Sequence, residues 1–349
     1  MSMLNREIIN WYEFNKRDLP WRNTTDPYKI WISEIMLQQT QVVTVVDYYH
    51  RFINCFPTVK DLAAADELEV LNLWQGLGYY SRARNLHQAA KSIMSDYKGV
   101  FPSSFNEINK LKGIGVYTAS AISAFAFHLP HAAVDGNVYR VLSRLFGISE
   151  STSSSKGKKI FQALAEELMA DAPPHIYNQA IIEFGALQCL AKNPICESCP
   201  IGANCYAYNK GSQDAYPVKK KKIKVTDRFF YYLYIYNGEQ FLLQQRRDRD
   251  IWRNLFEFPL IEANKTIELV NLIETETWQS LFKGLNIEVT DQLAMGKHKL
   301  SHQNLHLEFI HIKVEEDALK KFSDLILVDS ERANDYPMPK PIETHLVRE

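Results

Sequence analysis

No stretch of this 349-residue chain approaches the about 20 consecutive apolar residues that a membrane-spanning helix requires. Internal repeats and long low-complexity runs are missing too; SESTSSSKGKK, Ser149 to Lys159, reads as a polar loop. Cysteine is scarce, at five residues. The opening MSMLNREIINWYEF is charged and amphipathic, without the unbroken apolar core of a secretion signal. The expectation is a cytoplasmic protein in a reducing compartment, where disulfides are rare. An excess of one charge sign is lacking as well, the net being -1.

What is present describes a folded protein of two domains. Hydrophobic residues make up 46% and charged residues 23%. The small net charge hides an asymmetry: residues 1–224 carry a net +5 and residues 225–349 a net -6. A basic part followed by an acidic one suits a polyanion-binding domain joined to something else. Through residue 210 the apolar spacing is helical, as in NREIINWYEFNKR, LEVLNLWQGL, RARNLHQAAKSIMSDY and IFQALAEELMA. Residues 211–224, with four consecutive lysines from Lys219 to Lys222, read as a linker. Beyond it the period becomes two. DRFFYYLYIYNGEQFLLQQRR predicts a hairpin around Asn237-Gly238, NLHLEFIHIKV a further strand, and TIELVNLIETETWQSLFKG a helix between them. The second domain is therefore α+β.

Four of the five cysteines fall between Cys189 and Cys205 with the spacing C-x6-C-x2-C-x5-C. In a reducing compartment this points to a metal site. Ligand type alone fits zinc, although there is one C-x2-C pair and not the two of a zinc ribbon. Cys55 stands apart and is expected to be an ordinary buried thiol.

Three other places could carry chemistry. In LKGIGVYTA, Gly113 and Gly115 bracket a tight turn before a helix, where exposed N–H groups can hold a phosphate; a plain helix–helix connection has the same look. Glu34, in PYKIWISEIMLQQTQVV, shares its helical face with Ile30, Trp31, Leu37 and Gln38. Partial desolvation there would raise its pKa toward use as a general acid. Asp135, in VDGNVYR, precedes the apolar row Val138, Val141, Leu142, Leu145 and reads as an N-cap. Backbone N–H groups would keep it ionised, able to face a developing cation.

In order, the Glu-Gln-Gln helix, LGYYSRARNL, LKGIGVYTA, VDGNVYR and the four-cysteine segment resemble the helix–hairpin–helix DNA glycosylases with an iron–sulfur cluster, the endonuclease III superfamily. LPWR, SEIMLQQTQV and GLGYYSRARNLH are similar to its adenine DNA glycosylase branch, the MutY family, and the resemblance spans essentially the whole chain. It implies an all-α helix–hairpin–helix catalytic domain over residues 1–210, with the hairpin at 111–118 and the iron–sulfur loop at 189–205, and a Nudix-like α+β domain over 225–349. It also implies a [4Fe-4S] cluster on Cys189, Cys196, Cys199 and Cys205. The partner would be double-stranded DNA carrying adenine opposite 8-oxoguanine or guanine, bound by a monomer with no membrane association.

The resemblance assigns roles residue by residue. Glu34 would protonate N7 of a flipped adenine, and Asp135 would stabilise the sugar cation, by charge or through a covalent intermediate. Tyr117, Asn137 and Arg22 would support them, and Gln179 would contact the adenine edge. Gln39 and Tyr79 match wedge positions, with Gln38, Thr40 and Leu77 alongside, although Leu77 suits core packing equally. Tyr117 stands where strand-cleaving relatives carry a Schiff-base lysine, so a monofunctional enzyme is expected. The second domain echoes the Nudix fold in WRNLFEFP but lacks the carboxylate cluster that binds magnesium, which argues against pyrophosphohydrolase activity. Its lesion-reading loop would be HKLSHQNL, with Ser301 and His302 in place and Leu300 where phenylalanine is usual. A metal cluster of His298, His302 and His306 is disfavoured, no acidic partner being evident. A thymine glycosylase for G·T mispairs, a non-catalytic damage-binding protein and a zinc-containing adaptor are the alternatives.

Overall fold

The 3.6-residue periodicity of the amino-terminal part resolves into helices in the computed structural model, which describes residues 2–218 and 225–347. The run Lys219 to Lys222 lies outside the described residues. In chain order the helices are α1 (Met3–Asn15), α2 (Pro27–Leu37), α3 (Val42–Cys55), α4 (Val59–Ala64), α5 (Glu67–Trp74), α6 (Ser81–Asp96), α7 (Phe105–Ile108), α8 (Val116–Phe127), α9 (Gly136–Phe146), α10 (Ser155–Met169), α11 (Pro174–Leu187) and α12 (Tyr206–Asn209). Side chains of Ser2, Asp26, Thr58, Ser104, Asp135 and Ser154 each accept a first-turn N–H, and Pro27 and Pro174 open their helices where no donor is needed. Ile8, Val138, Leu142, Phe161, Ile181 and Phe184 bring α1, α9, α10 and α11 onto one core.

Two expectations change here. The helix read through SEIMLQQTQV stops at Leu37, because the Thr40 N–H turns back onto the Leu37 carbonyl at 3.3 Å; α3 starts afresh at Val42. Cys55 is exposed, lying off the buried row Val45, Tyr49, Phe52 and Phe56.

Sequence order and spatial grouping part company at α5. One unit comprises Met1–Ala65 and Arg84–Lys221, the other Asp66–Ala83 and Lys222–Glu349. The second unit thus takes eighteen residues from the segment that the sequence assigns wholly to the first domain. Polar bonds fix them there: Asn72 Nδ2 donates to the Asp335 carbonyl at 3.0 Å, and the Tyr80 hydroxyl to that of Met338 at 3.1 Å.

The rest of the second unit is a mixed sheet of β1 (Thr226–Asn237), β2 (Gln240–Gln245), β3 (Phe256–Glu257), β4 (Leu260–Ala263), β5 (Ile287–Lys299), β6 (Gln303–Val314) and β7 (Ile326–Asp329). Its order is β3-β2-β1-β6-β5, with β4 on β1 and β7 on β2. The expected hairpin forms at Asn237-Gly238, with Tyr236 opposite Phe241 and Gly238 at φ 57. β1 and β6 run parallel, the other pairs antiparallel. Along β1, Tyr231, Leu233 and Ile235 face one core, shared with α13 (Leu269–Ile273), α14 (Glu276–Leu281) and α15 (Glu316–Leu319). Phe230, Tyr232 and Tyr234 face another, closed by Phe258, Met338 and Ile342 of α16 (Lys340–Leu346). Burial on both faces explains the aromatic-rich run FFYYLYIY, which has no polar alternation. The helix expected over TIELVNLIETETWQSLFKG is two, because Thr275 donates to the Leu272 carbonyl at 2.7 Å and caps α14 through the Trp278 N–H at 3.3 Å.

Candidate active site

The first unit holds a cavity of about 590 Å³ whose walls include Arg22, Glu34, Tyr117, Asp135, Asn137 and Gln179. Three helix ends assemble it. On α2, between the buried Ile30, Trp31 and Ile35, Glu34 is 6% exposed, and its Oε2 has no hydrogen-bond partner among the described residues. Burial pushes its carboxyl up to about 7; the Asp135 charge adds to the rise, while a hydrogen bond with Tyr117 and the Arg22 charge oppose it. Tyr117, in the first turn of α8, has its own hydroxyl pushed well above 10 by burial, with the Glu34 charge beside it.

Asp135 caps α9, accepting the Val138 N–H at 2.8 Å and Asn137 Nδ2 at 2.7 Å. The cap is as expected, but its electrostatic consequence is not the simple one. Burial raises the Asp135 carboxyl more than those bonds and the Arg140 charge lower it, so its pKa lies above the ordinary aspartate value. The two carboxyls still differ in kind, one partly unpartnered and one bonded from two sides.

Arg22 bonds to neither carboxyl. Its guanidinium and that of Arg17 both hold Glu183, Arg22 Nη2 at 2.8 Å and Arg17 Nη2 at 2.6 Å. Burial alone would raise Glu183, but these bonds hold its carboxyl down at about 2. Gln179 is fixed by the Tyr12 hydroxyl, which donates to Oε1 at 2.6 Å and leaves the amide NH₂ for a ligand. Gln38 Nε2 donates to Thr118 Oγ1 at 3.2 Å, and Thr40 Oγ1 to the Gln38 carbonyl at 3.4 Å. Gln39, exposed between them, has φ 58, a backbone conformation rare outside glycine.

In the hairpin at 111–118, buried Leu111 and Ile114 anchor the turn. Gly113 has φ +80, and a Cβ there would lie 2.7 Å from Asn85 Cβ. Gly115 begins α8 without a side-chain cap, so the first N–H groups of that helix are left for an outside acceptor.

The four cysteines line a common cavity with Arg144, Phe184, Gln188 and Gln213. Arg144 Nη1 reaches Cys189 Sγ at 3.4 Å and Gln213 Nε2 reaches Cys196 Sγ at 3.8 Å. Burial raises the thiols of Cys189 and Cys199, the latter to about 11. Among the described residues no three His, Cys, Asp or Glu side chains are grouped to hold a single metal ion.

The remaining candidates lie in the second unit. Tyr79 is 46% exposed, with φ 50, and its hydroxyl is 2.9 Å from Ser301 Oγ. Arg82 lies 5.7 Å from the Tyr79 ring centroid and donates to the carbonyls of Leu77 and Gly78 at 3.2 and 3.0 Å. Leu77 itself is buried, at 6% exposed. Ser301 and His302 are exposed at the turn joining β5 to β6. Leu300 packs against the sheet core. The three histidines do not gather. His298 packs on Trp252, and His306 does have an acidic partner, Asp227, at 2.8 Å.

Sequence reasoning did not single out Tyr12, Arg17, Glu183, Arg140 or Arg144. The last two were within reach: Asn137, Arg140 and Arg144 form an i, i+3, i+7 polar row on an otherwise apolar helix. Arg140 donates to Asn137 Oδ1 and to the Cys189 carbonyl, and Arg144 to the Leu190 carbonyl.

Comparison with known proteins agrees with this layout. Residues 32–168 match the family described as HhH-GPD superfamily base excision DNA repair protein, and residues 231–347 match the NUDIX domain. An adenine DNA glycosylase of Buchnera aphidicola subsp. Baizongia pistaciae is 39% identical over 308 residues, which is 87% of this chain and 84% of that protein. That of Buchnera aphidicola subsp. Schizaphis graminum is 36% identical over 346 residues, or 96% and 95%. A solved thermostable thymine-DNA glycosylase is similar with a TM-score of 0.56 and 31% identity, covering 59% of this chain and 95% of that one. Among the described residues no helix is long and apolar enough to cross a membrane.

Proposed function

This chain belongs to the adenine DNA glycosylase family, and on that premise we propose how its residues hydrolyse the N-glycosidic bond of adenine in duplex DNA during base-excision repair. The observation that carries the reading is Glu34, a buried carboxyl with one unpartnered oxygen and a pKa of about 7, in the same cavity as Asp135.

A base inside a duplex must leave the stack before its glycosidic bond can be reached. Gln39 and Tyr79, each an exposed tip with a left-handed backbone, are the side chains offered as wedges. Gln38 and Thr40 hold the first tip and the packed Leu77 the second. Gly113 and Gly115 bind a backbone phosphate through α8 N–H groups, without reading sequence. In the cavity, Gln179 offers its amide to the adenine edge. Glu34 gives its proton to N7, so the base departs neutral. As the C1′–N9 bond breaks, positive charge gathers on the sugar, and anionic Asp135, held by Val138 and Asn137, stabilises it. Water then completes the reaction at C1′. Tyr117 cannot form an imine, so the product is an abasic site in an intact strand.

Cys189, Cys196, Cys199 and Cys205 would hold a [4Fe-4S] cluster. The four thiols line one cavity, and four cysteines are the ligand set that such a cluster takes. Bound there, it would cross-link the loop whose cysteines pack against the core of α9. Ser301 and His302 read the base opposite the adenine, 8-oxoguanine in preference to guanine.

The thymine glycosylase reading is not favoured, since that similarity covers 59% of the chain against 87% and 96% for the two adenine glycosylases. Single-turnover excision on duplexes with A opposite 8-oxoguanine, A opposite G and T opposite G tests the choice. Release of adenine from the first two, fastest from the first, is expected; release of thymine alone would overturn it.

A further inference from the structure

Charge in the second unit is unevenly spread. Residues 225–349 carry a net -6, yet RRDRDIWR, Arg246 to Arg253, packs four arginines into eight residues. Arg246 serves the interior. Its Nη1 holds both oxygens of the buried Glu257, at 2.7 and 2.9 Å, and its Nη2 holds Asp250 at 2.8 Å. Arg228 grips the same Asp250 at 2.7 Å. Arg247 and Arg249 are exposed, with the exposed Asp248 between them.

The loop that presents them is rigidly built. Arg246 Nε donates to the Ile251 carbonyl at 3.0 Å, and the Asn254 N–H returns to the Arg246 carbonyl at 2.7 Å. Trp252 and Asn254 are left-handed, at φ 57 and 66, a conformation that persists only where surroundings over-determine it. A loop that merely solvates its arginines has no need of such a frame.

Its position is equally definite. The Trp252 ring centroid lies 5.9 Å from that of His298, three residues before Ser301. Asn254 Nδ2 donates to Glu67 Oε1 at 2.5 Å, in the same Asp66–Ala83 segment whose Tyr79 meets Ser301. The loop therefore flanks the turn that carries Ser301 and His302.

We propose that Arg247 and Arg249 bind backbone phosphates of the DNA strand whose base that turn reads, giving an acidic unit a sequence-independent electrostatic grip. This rests on the preceding reading for the role of the turn. Guanidinium groups match phosphate oxygens in charge and geometry, and a preformed loop loses little freedom on binding.

The test uses the full chain and duplexes with a stable abasic-site analogue opposite 8-oxoguanine or guanine, so that binding is read without excision. For Arg247→Ala with Arg249→Ala, the salt dependence of affinity should become shallower by about one per lost phosphate contact, about two in all. Both duplexes should weaken by the same factor. Arg247→Lys with Arg249→Lys should keep most of the slope, and removing two charges elsewhere, Lys320→Ala with Lys321→Ala, should leave it unchanged. A wild-type slope in the arginine-to-alanine protein, an equal fall in the lysine control, or a loss confined to the 8-oxoguanine duplex would overturn the proposal. Excision by the unaltered enzyme is scored separately, so failure of the adenine reading shows there and not in the salt slope.

Discussion

Arg140 donates to the carbonyl oxygen of Cys189 at 2.7 Å. The same guanidinium reaches Asn137 Oδ1 at 2.9 Å, and Asn137 Nδ2 reaches Asp135 Oδ2 at 2.7 Å. Three hydrogen bonds thus join the cysteine loop to the carboxylate that would face the sugar cation. Groups that orient a metal-binding loop typically matter by roughly 10–100-fold. Arg140→Gln should slow single-turnover excision by that order, with a smaller loss of product-DNA affinity. An unchanged rate would reduce the chain of bonds to packing.

Glu34→Gln keeps the shape of the side chain but not its proton, and should slow excision more than about 10²-fold with DNA affinity retained. In the unaltered enzyme the rate should fall as pH rises above about 7, where Glu34 loses its proton. Stability follows the same sign. Folded Glu34 keeps its proton to about 7, the unfolded carboxyl only to about 4.5, so its contribution is full below about 4.5 and lost as pH rises through about 7. The glutamine variant escapes that loss and should melt higher than wild type at pH 8. Near-normal excision with a lower Tm would make Glu34 a structural residue.

The hydrogen bond with Tyr117 holds the Glu34 pKa down. Tyr117→Phe should move the alkaline limb of the pH–rate profile upward, a shift that simple loss of packing would not produce. Wild-type product strands should stay whole until treated with alkali. Tyr117→Lys should gain some strand cleavage, with a borohydride-trapped adduct as its signature.

Ser301→Ala with His302→Ala should compress the preference for adenine opposite 8-oxoguanine over adenine opposite guanine about tenfold or more, the loss of one good contact pair worth about 1–3 kcal/mol. Tyr79→Phe keeps the ring but removes the hydroxyl that meets Ser301, and should give part of the same compression, non-additively with Ser301→Ala. A wild-type ratio in both proteins would remove this turn from base reading.

Local features were legible in the sequence. Trp31 and Ile30 beside Glu34 foretold its desolvation, the position of Asp135 foretold a cap, and Asn237-Gly238 foretold the hairpin. What escaped depends on distant parts of the chain. Glu183 lies about 160 residues from Arg17 and Arg22, and nothing near it announces two arginines. β5 is exposed along most of its length, and Asp291 interrupts the alternating row Ile287, Val289, Leu293, Met295, so IEVTDQLAMGKHK reads only weakly as a strand. The dependence of Asp135 on burial, over and above its hydrogen bonds, likewise needs the assembled pocket.

The membership of Asp66–Ala83 in the second unit makes the polypeptide pass between units three times. A protease that nicks the chain once, between residues 211 and 224, therefore breaks one covalent passage and leaves two. The carboxyl-terminal fragment would still be held by Asn72, Tyr79 and Tyr80, through Asp335, Ser301 and Met338. Nicked protein should run as a single particle under native conditions and part only in denaturant. Hybrids that exchange the carboxyl-terminal half between relatives would, for the same reason, set a foreign sheet against a native wedge, and Asp66–Ala83 would have to travel with it.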